Sequence, residues 1–305
     1  MFKYLLSRII QMIPSLIGLT IILFVLMRIG GDPVAHLVDP DASPAEIAVV
    51  RAAYGFDRPL HEQYFQQLGM ILRGDFGESF RFRTAAMPLV LERLPATIQL
   101  AVAGMVVALL IAVPAGLLSA IYQNSPLDLF VTVTSTAGRA MPNFWIGIML
   151  ILLFGVELRW FPVSGRDEPL AIVLPAITLG LGIATALARV LRSSMIEVLR
   201  LEYMTTARAK GVTPRHVIFR HGLRNALIPF VTVLGLQIAW LLGGAVIVEE
   251  VFAWPGLGRL LLASVQVRDM TVVMAGVFVL AIVVMIANLL VDISYAYLDP
   301  RIRYR

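Results

Sequence analysis

Residues 205–229 read TTARAKGVTPRHVIFRHGLRNALIP and lie between two long apolar runs. They belong to a stretch, Arg189 to Asn225, with eight Lys or Arg and only two acidic residues. We name residues 189–225 the basic segment. A glycine inside its helix-like pattern indicates two helices joined by a turn, because glycine readily adopts the left-handed conformation that ends a helix. Adhesion to anionic lipid needs no defined turn, so the pattern favours a protein partner.

The composition is that of an integral membrane protein. Of the 305 residues, 59% are hydrophobic and 15% are charged, and the mean hydropathy is +0.84. A helix needs about 20 apolar residues to cross a bilayer. Uncharged runs near or above that length predict an all-α membrane protein with six transmembrane helices, the first of them retained rather than cleaved. The runs are Ile9–Met27, Ala96–Ile121, Ala140–Val156, Pro169–Ala188, Ala226–Val248 and Thr271–Val291.

Lys and Arg in short loops predict the orientation, because cationic loops resist translocation. With the N-terminus inside, the inner segments carry thirteen Lys or Arg and the short outer loops carry four. The sequence therefore predicts that both termini lie in the cytoplasm. The net charge of +5 follows from this asymmetry and from the basic segment, and it does not indicate a nucleic-acid partner.

The basic segment has clear helix boundaries. Residues from Glu202 to Lys210 favour a helix, Gly211 is placed to end it with a positive φ, and Thr213-Pro214 is placed to start the next one. We expect one stripe of the second helix to pack on the protein and the opposite stripe to face the cytoplasm. The packed stripe is predicted to hold Phe219, Gly222, Leu223, Ala226 and Leu227, and the exposed stripe His216, Arg220 and Arg224.

A long segment separates the first two predicted spans. Its stretches Pro44–Tyr54 and His61–Leu72 have the periodicity of short amphipathic helices. The segment is too small for a robust core of its own, so we expect it to pack on the membrane helices. The predicted organisation is 1–29 as N-terminus and first helix, 30–95 as an extracytoplasmic loop domain, and 96–305 as a five-helix core that includes the basic segment.

Several motifs resemble one transporter family from end to end of the chain. The basic segment is similar to the EAA-type coupling motif of ABC importer permeases, with Thr205-Thr206-Ala207 in place of the triplet and Gly211 as its glycine. The whole pattern resembles the dipeptide, oligopeptide, glutathione and nickel branch of these permeases. Matching motifs are GDP at 31–33, RGDFGES at 73–79, ERLPAT at 92–97, MPNFWIG at 141–147, EEVFAWPGLGRLL at 249–261 and DPRIRY at 299–304.

The resemblance implies a type I ABC importer permease fold in a bacterial inner membrane. Implied partners are a second, homologous permease, two ABC ATPase subunits that bind ATP and magnesium, and an extracytoplasmic substrate-binding protein. Di- or oligopeptides or glutathione are the implied substrates, and a nickel-transporting member of the branch is the alternative. The implied ATPase-coupling residues are Thr205, Thr206, Ala207, Arg208, Ala209, Lys210, Gly211 and Arg215.

The residues exclude several other kinds of protein. Lys3 and Lys210 are the only lysines and neither lies in G-x-x-x-x-G-K-[ST], so this chain has no P-loop and no cofactor of its own is expected. It has no cysteine, and His36 and His61 lack a clear third partner for a metal. No hydrolase motif is present, so we expect a non-catalytic subunit. An ion-coupled secondary carrier is the alternative class, disfavoured by the scarcity of carboxylates in the spans.

Polar residues inside the spans are candidates for the transport pathway or for helix packing. Arg139 lies in or beside the third span, where an unpaired charge is costly, and Asp292 is a possible counter-ion in the sixth. We favour a structural ion pair between Arg139 and Asp292 over a role of these residues in contacting the substrate. Gln237 and Asn288 are expected to form interhelical hydrogen bonds.

Overall fold

Helices account for the secondary structure of the protein wherever it is described. The computed structural model describes residues 2–29, 38, 42–53 and 55–298, except for the side chains of 2–5, 29, 139 and 294–298. Within these ranges one isolated bridge joins Glu78 to Ala85. The α-helices are α1 Phe2–Ile29, α2 Pro44–Ala53, α3 Leu60–Leu72, α4 Ala86–Ile121, α5 Pro126–Ala140, α6 Asn143–Leu150, α7 Val173–Leu199, α8 Glu202–Ala209, α9 Pro214–His216, α10 Arg224–Val251, α11 Leu257–Gln266 and α12 Met270–Leu298. Two π-helical stretches follow α6 and α9: π1 Ile151–Glu157 and π2 Val217–Leu223.

Five of the described helical stretches are long and apolar enough to cross a membrane, which confirms an all-helical membrane protein. They are Leu6–Arg28, Ala86–Ile121, Val173–Leu199, Pro214–Val251 and Met270–Ile293. Helices extend beyond the uncharged runs. For example, α4 begins at Ala86 rather than at Ala96, because Glu92 and Arg93 are good helix formers. Charge therefore marked where the apolar region ends and not where the helix ends.

The predicted third span is not one straight helix. Residues 126–138 and 143–157 form two helices that meet at an angle of 107°, and they count as a sixth span only if the pair is taken together. The break follows from Pro142: its ring cannot continue the preceding helix, and Met141 before it is extended, with φ −90° and ψ 128°. The sequence placed a single span, Ala140–Val156, across this break.

Tertiary contacts divide the described chain into two units. The first contains residues 95–259 and the end of α12 from Val284, and the second contains residues 2–94 and 260–283. Helices α4 and α12 each contribute residues to both units.

The first unit is built around α7. Leu179, Ile183, Leu187 and Leu191 repeat every four residues along it and are fully buried. Small residues let α4 approach closely: a Cβ on Gly180 would lie 2.6 Å from the carbonyl oxygen of Gly104. Helix α7 also contacts α5, α6 and α10.

The second unit contains the two short helices predicted between the first two spans, and both are confirmed as α2 and α3. Helix α2 begins with a capping box, in which the backbone N–H and hydroxyl of Ser43 donate to Glu46 at 2.8 Å. These bonds hold the pKa of Glu46 below its usual value. Helix α3 packs on α1, where the hydroxyls of Tyr64 and Thr20 lie 2.9 Å apart.

The segment after α3, which carries the motif RGDFGES, is fixed to the start of α12 within the same unit. The Ser79 hydroxyl donates to the carboxylate of Asp269, and both side chains are buried. The rings of Phe76 and Phe278 also pack together, with centroids 5.4 Å apart. The motif thus anchors a connecting segment to a helix.

Candidate functional site

Helix α8 belongs to the first unit and has one fully buried side chain. Met204 is its only fully buried residue. A Cβ added to Gly222 would lie 3.5 Å from the end of the Met204 side chain and 3.4 Å from that of Met195, so the three residues adjoin one another. Of the residues predicted to couple to an ATPase, Ala207 is half-buried and the rest are exposed: Thr205, Thr206, Arg208, Ala209, Lys210, Gly211 and Arg215.

The turn after α8 has the predicted geometry. Gly211 has φ +76°. Its N–H donates to the carbonyl of Arg208 at 3.0 Å, and that of Val212 donates to the carbonyl of Ala207 at 3.3 Å. This pair of bonds is a Schellman motif, which requires the left-handed residue at its centre. A Cβ on Gly211 would meet no other atom within 4 Å, so the requirement for glycine is one of backbone conformation alone.

The next helix restarts at Thr213-Pro214 as predicted, although the Thr213 side chain makes no capping hydrogen bond. The predicted stripe was wrong for Phe219, which is 54% exposed. The reason is π2, because a π-helical turn accommodates an extra residue and shifts the phase of the helix. The buried positions that result are Val217, Gly222, Ala226 and Phe230. His216, Arg220 and Arg224 are exposed, as predicted.

A small hydrogen-bond network fixes α8 to the helix that follows it. The side-chain amide of Asn225 donates to the Tyr203 hydroxyl at 2.7 Å and to the His221 carbonyl at 3.3 Å. The Tyr203 hydroxyl in turn donates to that carbonyl at 3.3 Å. Neither Tyr203 nor Asn225 was predicted from the sequence as a functional residue. The network holds the two arms of the turn in a fixed relation while the exposed cations project from it.

A partly buried ion pair lies at the start of the basic segment, which contains its Arg192. Arg192 donates through Nε to Oδ1 of Asp128 at 2.6 Å and through Nη2 to Oδ2 at 2.8 Å. The Ser119 hydroxyl also donates to this carboxylate, which is 4% exposed. Helices α4, α5 and α7 therefore meet at one carboxylate. The capping pattern Ser125-x-x-Asp128 was the sequence signal that analysis missed.

Another buried carboxyl group lies near the C-terminal end of α10. Glu249 is fully buried, and it accepts from the Thr97 hydroxyl at 2.6 Å and from the Arg259 N–H at 3.0 Å. The Thr97 oxygen accepts in turn from the Leu257 N–H at 2.7 Å. The Trp254 indole donates to the Ala96 carbonyl at 2.9 Å. We name Thr97, Glu249, Trp254, Leu257 and Arg259 the Thr97–Glu249 cluster.

The predicted pathway residues are not brought together by the described contacts. The side chain of Arg139 lies outside the described residues, so its pairing with Asp292 stays a prediction. Gln237 is half-buried and Asn288 is exposed, and the described part of the chain shows no hydrogen bond of either side chain. His36 also lies outside the described residues. Among the residues that are described, no group of three or more His, Asp or Glu is placed to hold a metal ion.

Two family models together match most of the chain. Residues 1–101 match the N-terminal part of the membrane component of binding-protein-dependent transport systems. Residues 112–304 match the inner membrane component of such systems.

Curated relatives are similar over their whole length. The chain is 42% identical over 316 residues to the oligopeptide transport system permease protein AppB of Bacillus subtilis (strain 168), with 100% of each covered. It is 40% identical over 306 residues to the glutathione transport system permease protein GsiC of Salmonella paratyphi A, again with 100% of each covered.

A solved structure shares the fold. The chain superposes on a chain of the MetNI methionine ABC transporter in an inward-facing conformation with a TM-score of 0.61 and 21% identity, over 70% of this chain and 97% of that one. The fold is thus that of an ABC importer permease. The family models and the full-length relatives confirm the resemblance found in the sequence: the chain belongs to the binding-protein-dependent transport system inner membrane components, the non-catalytic permease subunits of ABC importers.

Proposed function

We propose that this permease forms half of the translocation pathway of an ATP-driven importer for oligopeptides or glutathione. The observation that carries the proposal is full-length identity of 42% and 40% to permeases of oligopeptide and glutathione systems. Its partners are a second permease, two ATPase subunits and an extracytoplasmic binding protein. The subunit itself has no P-loop, so ATP and magnesium bind to the ATPase subunits.

The basic segment is the surface that docks on an ATPase subunit. Helix α8 packs on its neighbours through the buried side chain of Met204, and its exposed residues adjoin a turn with a defined conformation. Arg208, Lys210 and Arg215 give this surface a positive charge, which suits an acidic or polar cleft on the partner. The Tyr203–Asn225 network keeps the turn fixed relative to α10. A force applied at the turn is therefore transmitted to a membrane-spanning helix.

The orientation follows from the same surface. The basic segment lies in the cytoplasm with both termini, and residues 30–95 form the extracytoplasmic loop domain between the first two of six spans. Residues 96–305 form the five-helix core. In this arrangement the Thr97–Glu249 cluster lies at the outer end of α10, because the basic segment lies at its inner end. Arg139, Gln237, Asn288 and Asp292 remain the candidates for polar residues along the pathway.

Reconstitution tests the function. Proteoliposomes would contain this permease with its partner permease and ATPase subunits, and the cognate binding protein would present radiolabelled oligopeptide or glutathione. We expect ATP-dependent uptake of one of these substrates, and none when the ATPase subunits are omitted. Uptake by the permeases alone, driven by a proton or sodium gradient, would contradict the proposal and support a secondary carrier.

Labelling of single cysteines tests the orientation, because the chain has no cysteine of its own. Arg73 follows α3 and Gln123 lies between α4 and α5, and both are exposed. In spheroplasts, we expect an impermeant maleimide to label Arg73→Cys directly and Gln123→Cys only after permeabilisation. The reverse pattern would invert the orientation. Ser79 is unsuitable for labelling because it is 1% exposed and bonded to Asp269.

A further inference from the structure

The Thr97–Glu249 cluster joins two helices and a turn of the first unit through one buried carboxylate. Thr97 belongs to α4 and Glu249 to α10, and Leu257 and Arg259 belong to the turn Trp254–Arg259, which follows α10 and includes the first residues of α11. The Thr97 hydroxyl donates to Glu249 at 2.6 Å and accepts from the Leu257 N–H at 2.7 Å. A single hydroxyl thereby connects all three elements. Each buried polar group named here has a partner, which makes the connection costly to break.

The turn lies directly on the carboxylate. A Cβ on Gly256 would lie 2.1 Å from Oε1 of Glu249, and one on Gly258 would lie 2.7 Å from Cα of Val246. No side chain larger than hydrogen fits at either position without a shift. The glycines of the motif EEVFAWPGLGRLL are therefore required by close packing against α10.

The guanidinium of Arg259 does not pair with the carboxyl group of Glu249. Its Nε lies 3.7 Å from Oε2 of Glu250, and its Nη1 donates to the Ala253 carbonyl at 3.1 Å. Glu249 is bonded instead to the Thr97 hydroxyl and to the Arg259 backbone N–H. A fully buried carboxyl group held only by neutral partners depends on every one of them, because a polar group left without a hydrogen bond in the interior is costly.

One helical rod connects this cluster to the basic segment. Residues Pro214–Val251 form 38 consecutive helical residues, which start three residues after Gly211 and include Glu249. At a rise of about 1.5 Å per residue, such a rod is about 55 Å long. A displacement of its inner end therefore reaches Glu249 without passing through a loop.

We propose that Glu249 is a positioning residue for transport, which rigidly connects α10 to α4 and to the turn Trp254–Arg259 at the outer end of the rod. The proposal rests on the proposed docking of the basic segment on an ATPase. Through this connection, arrival of loaded binding protein at the outer face changes the position of the basic segment, and ATP hydrolysis is stimulated. The connection stays intact throughout the transport cycle.

Three variants of the complete importer test this role in proteoliposomes. Thr97→Val removes the hydroxyl with little change in volume, and Glu249→Gln keeps the shape and replaces one carboxyl oxygen with an amide nitrogen. Thr97→Ser keeps the hydroxyl and is the matched control. For Thr97→Val and Glu249→Gln we expect unchanged basal ATP hydrolysis and a drop of about tenfold or more in its stimulation by loaded binding protein, which corresponds to the cost of leaving a buried polar group without its hydrogen bond. Thr97→Ser should retain the stimulation.

The outcomes separate this inference from the proposed function on which it rests. Wild-type stimulation in both Thr97→Val and Glu249→Gln would overturn the positioning role. Failure of both variants to assemble into complexes would also overturn it, since it would assign Glu249 to folding. Gly211→Val, measured in parallel, tests the docking surface itself. If Gly211→Val loses stimulation and Thr97→Val keeps it, only the role of Glu249 is wrong.

Discussion

Gly211→Val is expected to abolish uptake and the stimulation of ATP hydrolysis by loaded binding protein. Gly211 has φ +76° at the centre of a Schellman motif. A β-branched residue in this conformation costs about 1–2 kcal/mol or more, so the turn would open and Met204 of α8 would leave its buried position. The spans do not depend on this turn, and we therefore expect the variant to insert and to pair with its partner permease.

The control for this prediction uses the same position. Gly211→Asn keeps the left-handed conformation at lower cost, because asparagine adopts it more readily than other residues with side chains. A Cβ on Gly211 would meet nothing within 4 Å, so neither variant suffers from a clash. We expect Gly211→Asn to retain most of the uptake. Equal loss in both variants would show that the backbone conformation is not what matters at Gly211.

Arg192→Met is expected to lower the free energy of unfolding by about 3 kcal/mol. The change would leave the carboxylate of Asp128, which is 4% exposed, without its bidentate cation. The estimate is at the low end for a broken buried pair because 28% of the Arg192 side chain is exposed. Thermal unfolding of the purified permease in detergent would measure the loss.

Two further variants identify the cause of this loss. Arg189→Met is the matched control, because Arg189 is exposed on the same helix, and it should leave the unfolding temperature nearly unchanged. Adding Asp128→Asn to Arg192→Met removes the unpaired charge, so the double variant should be more stable than Arg192→Met alone. If the two substitutions instead add, the ion pair does not stabilise the junction of α4, α5 and α7.

The predictable parts of the structure are those decided by local chemistry. The turn at Gly211 and the restart at Pro214 follow from backbone preferences of single residues, and both are found. Helices α2 and α3 followed from a short amphipathic period. The existence of the membrane spans followed from the length of the apolar runs, because a chain that crosses a membrane has few alternatives to a helix.

The unpredicted parts depend on which hydrogen bonds and contacts form between residues that are far apart in the sequence. A π turn and an α turn have nearly the same composition, so π2 and the exposure of Phe219 could not be read from sequence. In the sequence, two adjacent acids such as Glu249 and Glu250 are typical of the exposed end of a membrane span. Burial of the first arises only because the turn of Trp254–Arg259 folds back on α10 and Thr97 lies opposite. The motif was recognised, but its packing role was not.

Site-specific cross-linking tests the central claim most directly. A photoreactive maleimide would be attached to Thr206→Cys, which lies on the exposed face of α8, in the assembled importer. A second sample would carry it at Leu236→Cys, which is 71% exposed within the span of α10. The account predicts that Thr206→Cys cross-links to an ATPase subunit and that Leu236→Cys does not. If Thr206→Cys captures only lipid or the partner permease, the basic segment is not the surface that couples ATP hydrolysis to transport.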